Sequence, residues 1–121
     1  MSTTNINIPA DEVTYTLECL PEDIGVRGNA LASGDDGEDR RAEDAIIADL
    51  EAGNEWAWCC VKVTAEWNGF EGKDYLGGCS YASEDDFKQP GGYYDDMKQQ
   101  ALDDLYRTVR SAVERALPAL A

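Results

Sequence analysis

The sequence predicts a single α+β domain: an antiparallel sheet of three to four strands, with a middle helix and a long C-terminal helix packed on one face. Three observations predict it. Val13–Leu20 and Glu55–Trp67 alternate apolar and polar residues with the period of a strand. Ala42, Ile46 and Leu50, and again Met97, Ala101, Leu105 and Val109, recur at helical spacing. The chain has 121 residues, 43% of them hydrophobic, which suits one modest core rather than two.

Each element has its own signals. Residues 1–10 are polar and are expected to form a loose N-terminal extension to the domain, which spans 1–121. In the first strand Val13, Tyr15, Leu17 and Cys19 share a face, and Pro21 ends it. Glu22–Gly37 reads as an irregular connection, with a possible short strand at Val26–Ala32. The middle helix should start at Asp35 or Asp36, where acids suit the positive end of the helix dipole, and run to about Ala52 before Gly53. In the central strand, Cys59, Val61, Val63, Ala65 and Trp67 face one way; Trp58, Cys60, Lys62, Thr64 and Glu66 face the other.

Asn68–Gly72 reads as a hairpin loop slightly long for a two-residue turn, followed by a return strand over Lys73–Tyr81. Within that strand Gly77-Gly78 marks a bulge or the close approach of a bulky ring. Ser83 caps a short helical turn, which Gln89-Pro90-Gly91-Gly92 breaks. The last helix runs from Tyr93 or Tyr94 to Leu117, with acids at its start, arginines toward its end and Pro118 as its stop.

Charge and residue usage exclude more than they assign. Twenty-five Asp and Glu against ten Lys and Arg give a net charge of −15, which opposes direct binding of nucleic acid. The chain has no His, which removes His-based acid–base catalysis, His metal ligation and Ser-His or Cys-His pairs. No apolar run approaches the roughly 18–20 residues of a membrane span. The N-terminal stretch lacks the basic and apolar regions of a signal peptide. Cys19, Cys59, Cys60 and Cys79 contain no C-x-x-C knuckle. Reduced, mostly buried thiols in a reducing cytoplasm are expected, with a disulfide or a metal as the alternatives.

Four features could carry function. Asp35-Asp36-Gly37-Glu38-Asp39 superficially resembles a calcium loop but lacks its ligand order, so it reads as a helix N-terminus. The pairs Asp85-Asp86, Asp95-Asp96 and Asp103-Asp104 are successive residues on helices, so they splay rather than converge on a metal or a substrate. The tyrosines and glycines around Tyr75–Tyr81 and Gly91–Tyr94 suit either a binding patch or packing of the hairpin on the last helix. No phosphate-binding loop is present, no cofactor is implied, and a non-enzymatic protein is expected.

The fourth feature is the charge itself. It reflects a salt-adapted host, simple drift, or a surface that imitates the phosphate track of a nucleic acid. Acids three or four residues apart on a helix lie about 5–6 Å apart, comparable to phosphates along a strand. Asp36, Asp39 and Glu43, with Asp44 beside them, form such a row on the middle helix; the last helix offers Asp95, Asp96, Asp103 and Asp104 as a second group of acids. With Asp85, Asp86, Tyr93 and Tyr94 they make up the candidate partner-binding residues. The expected partner is a basic nucleic-acid-binding protein.

The stretch from Glu55-Trp56-Ala57-Trp58-Cys59 through Gly77-Gly78-Cys79-Ser80-Tyr81 to Gly92-Tyr93-Tyr94-Asp95-Asp96-Met97 resembles small acidic proteins that recur in phage and mobile-element genomes. The resemblance covers roughly residues 26–106. It implies a host-defence inhibitor, of the anti-CRISPR or anti-restriction kind, acting in the cytoplasm of a bacterial host on a partner such as a CRISPR-Cas effector complex. It carries over no catalytic residue. A phage accessory or structural interaction module whose acidity is incidental is the alternative.

Overall fold

The computed structural model describes residues 6–31 and 33–120. Three antiparallel strands, β1 (Thr14–Pro21), β2 (Cys59–Trp67) and β3 (Phe70–Cys79), form one sheet in the order β1-β2-β3. Helix α1 (Asp36–Glu51) lies in the long connection between β1 and β2; α2 (Glu84–Phe87) and α3 (Tyr93–Leu120) follow β3. The fold class is the one that the periodicities predict, with three strands.

Alternation in β2 sets the core. Cys59, Val61, Val63 and Ala65 are at most 1% exposed and face α3, beside Leu17 and Cys19 of β1. The α3 stripe of Met97, Ala101, Leu105 and Val109 closes that face. Gly72, paired with Ala65, makes this closeness possible: a Cβ there would stand 2.1 Å from Leu105 N and 2.2 Å from Ala101 O. The helix backbone therefore rests directly on β3. Phe87 of α2 fills one end of the core among Trp56, Tyr81 and Tyr94.

Several boundaries differ from the sequence expectations, each for a local reason. Residues 1–5 of the expected loose extension lie outside the described residues. Ile8 is not loose: it is buried, and its backbone N–H donates to the Tyr106 hydroxyl at 3.1 Å. Val26–Leu31 forms turns rather than a strand, because Gly28 takes a φ of 79° and donates its N–H to a side chain of α1. Ala32, also within that expected strand, lies outside the described residues.

The central strand begins at Cys59, because the Asn54 side chain accepts from Trp56 N at 3.1 Å and holds Glu55–Ala57 in a 3₁₀ turn. The hairpin loop is tight. Asn68 and Gly69, at φ 51° and 83°, make a two-residue turn, so β3 starts at Phe70. The α3 helix continues through Pro118 to Leu120; a proline this close to the end removes only one bond, from the final turn.

Gly77-Gly78 does both things expected of it. The β2–β3 register slips between Cys59 and Val61, and Gly78, at φ 63°, sits 3.6 Å (measured from an ideal Cβ) from the Trp58 ring. The middle helix is more peripheral than its apolar stripe suggests. Ala42, Ile46 and Leu50 are half-buried, and α1 packs on the Glu55–Ala57 turn while adding no side chain to the main core.

Candidate interaction surface

The twelve sequence-predicted residues fall on three places: α1, the corner where α2 meets α3, and the middle of α3. On α1, Asp35 caps the helix by accepting from Gly37 N and Glu38 N at 3.0 and 3.1 Å, which leaves Asp36 exposed beyond it. Asp39 accepts from the Ser33 hydroxyl at 2.7 Å and ties the preceding loop to the helix.

Glu43 was expected on the outer face and is instead buried. It accepts from Gly28 N at 2.7 Å and from the Arg27 guanidinium at 3.2 Å. Asp44 takes the other arm of Arg27. These bonds, that to Asp44 foremost, push the Arg27 guanidinium further up than usual. The row of acids on α1 is therefore largely a clamp on the Arg27 loop, with Asp36 its free member.

At the α2–α3 corner, Ser83 accepts from Asp86 N at 3.2 Å while the Asp86 carboxylate accepts from Ala82 N at 3.0 Å. This reciprocal cap engages Asp86 and leaves Asp85 exposed. Tyr94 is half-buried against Phe87, with Lys98 Nζ 4.6 Å from its ring centroid, and Lys98 also pairs with Asp95 at 3.5 Å. Tyr93 is 58% exposed. Asp96, one turn on, is exposed and has no ion pair among the described residues.

Along α3, Asp103 accepts from the Gln99 amide at 2.9 Å. Asp104 accepts from Lys73 N at 2.9 Å and pairs with Arg107 at 3.3 Å, so it closes part of the free edge of β3. The structure thus separates acids that serve the fold (Asp39, Glu43, Asp86, Asp104) from those that face outward unengaged (Asp36, Asp85, Asp96). Two of the unengaged acids sit at the α2–α3 corner with Tyr93.

Sequence reasoning passed over Glu22. Its carboxylate crosses from the end of β1 to Gly78 N at the bulge, and this bond, with a second from Ile24 N, lowers its pKa. Nothing in the local sequence signals that reach of 56 residues. Tyr75, 55% exposed on the sheet face opposite α3, lay within the Tyr/Gly-rich stretch but was not singled out as a site residue.

The four thiols are free. Burial pushes them all up, Cys79 to about 11, which keeps them protonated and weakly nucleophilic. Among the described residues, no group of three or more Cys, Asp or Glu side chains is arranged to hold a metal ion, and no helix is long and apolar enough to cross a membrane. Comparison with protein-family models, curated proteins and solved structures finds no match.

Proposed function

We propose that this protein is a non-enzymatic inhibitor that occupies the nucleic-acid site of a basic, nucleic-acid-handling protein, with a CRISPR-Cas effector complex as the specific case. The observation that carries this reading is a net charge of −15 on a small folded domain whose helices turn acids outward. Such a charge opposes compaction by self-repulsion and exceeds what solubility needs. It would also steer association with a basic cleft and make binding strongly salt-dependent. The acids of the domain are not equally suited to that task. Asp39, Glu43 and Asp104 are held by internal donors, so the α2–α3 corner offers the freer acids.

The test is affinity capture from a bacterial lysate at low and high salt, followed by competition. A captured nucleic-acid-handling protein that is lost at high salt and displaced by duplex or guide RNA supports inhibition by occupancy. Pre-bound nucleic acid should protect the target. A partner held equally well with its nucleic acid in place would refute occupancy.

A further inference from the structure

We infer that Tyr93 and Asp96 form a subsite for an arginine side chain. That the arginine belongs to a basic partner rests on the function proposed above; the subsite itself rests on geometry. Gly91, Gly92, Tyr93 and Asp96 line a surface depression of about 480 Å³. Gly91, at φ 82°, has nothing within 4 Å of where a Cβ would stand. Tyr93 and Asp96 are three residues apart on α3 and therefore share a helix face. The ring is the most exposed of the large hydrophobic side chains described, at 58%.

The neighbouring residues show that a tyrosine and an aspartate of this turn can hold a cation, although at a different spacing. Lys98 lies 4.6 Å from the Tyr94 ring centroid and 3.5 Å from the Asp95 carboxylate, so one tyrosine and one aspartate already hold an internal cation. Tyr93 and Asp96, one turn apart rather than adjacent, combine the same two residue types with no cation on either among the described residues. The positive end of α3, equivalent to about half a charge, is more than offset by Asp96 alone, since Asp95 is paired with Lys98.

A guanidinium suits this place better than an ammonium. Its plane stacks on the ring while its edge forks to the carboxylate, and it sheds water more readily. Tyr93 also lines a second depression, with Leu76–Tyr81.

The test uses the full chain, isotope-labelled and titrated at about 0.15 M salt with a blocked Gly-Arg-Gly-Arg-Gly peptide and its lysine counterpart. Amide shifts should concentrate at Gly91, Gly92, Tyr93 and Asp96. The lysine peptide should bind roughly fivefold more weakly, and Tyr93→Leu and Asp96→Asn should each weaken the arginine peptide by about fivefold. Asp49→Asn, at an exposed acid of α1 outside the candidate surface, should leave it unchanged. Shifts spread evenly over the acidic surface, equal affinity for the two peptides, or indifference to both substitutions would overturn the subsite. A mapped subsite with no nucleic-acid-handling protein captured would refute the proposed function alone. Capture and competition undiminished in the Tyr93→Leu/Asp96→Asn variant would refute the subsite alone.

Discussion

Gly72→Ala tests how the fold closes. The added methyl carbon would lie 2.1 Å from Leu105 N, 2.2 Å from Ala101 O and 2.7 Å from Leu105 Cα, all backbone atoms of a helix that cannot rotate out of the way. Ordinary contact needs about 3.4 Å or more, so α3 must lift by more than ~1 Å from the sheet. That lift would thin the contact of Met97, Ala101, Leu105 and Val109 with Val61, Val63 and Ala65 at once, because all belong to one cluster. Overpacking alone costs about 1–3 kcal/mol, and the shared loss of contact should place this variant at or above ~3 kcal/mol.

The measurement is urea unfolding followed by tryptophan fluorescence, with a thermal melt beside it. For a domain of this size the melting temperature should fall by more than about 10 °C. Gly25→Ala is the matched control: nothing lies within 4 Å of its Cβ and its φ is not positive, so it should stay within about 1 kcal/mol of the parent. A Gly72→Ala protein within ~0.5 kcal/mol of wild type would mean that α3 does not rest on β3.

Three further outcomes follow from the same packing. Val63→Asp places a charge at a site of 0% exposure between β1 and β3 and should prevent folding, read as loss of a cooperative unfolding transition. Glu43→Ala removes the acceptor for Gly28 N and Arg27 and should cost about 2 kcal/mol in urea unfolding, whereas Asp36→Asn should cost almost nothing.

The third concerns pH. The buried thiols have folded-state pKa values above the unfolded value, Cys79 reaching about 11 against an ordinary 9.0. The unfolded chain therefore loses its protons first: the stability is intact below the unfolded value and is lost as pH rises toward the folded one. The urea midpoint should fall from about pH 9 upward, and Cys79→Ala should flatten that fall; a midpoint independent of pH in this range would contradict the burial. Glu22 has the opposite sign, since its pKa is lowered, so its contribution is present near neutral pH and fades in acid.

Much of the fold was legible because it is local. The alternation of Cys59, Val61, Val63 and Ala65 marks the core face of β2, and the spacing of Met97, Ala101, Leu105 and Val109 marks the face of α3. Asp35 and Ser83 announced their caps through their own chemistry and position. The Asn68-Gly69 turn was equally local, and the longer loop expected there under-weighted a strong two-residue hairpin signal.

The surface was legible only in sum. The sequence by itself determined the charge of −15, the absence of His and the number of acids on each helix. Only the tertiary structure decided which of those acids are available. Arg27 reaches Glu43 from 16 residues away, Lys73 N reaches Asp104 across 31, and Gly78 N engages Glu22 across 56. A carboxylate in a helical row looks the same in sequence whether it faces water or a distant backbone N–H. Its partner is set by where the chain returns, so Glu43 became an internal clamp while Asp96, in an equally acidic helical turn, was left facing solvent beside Tyr93.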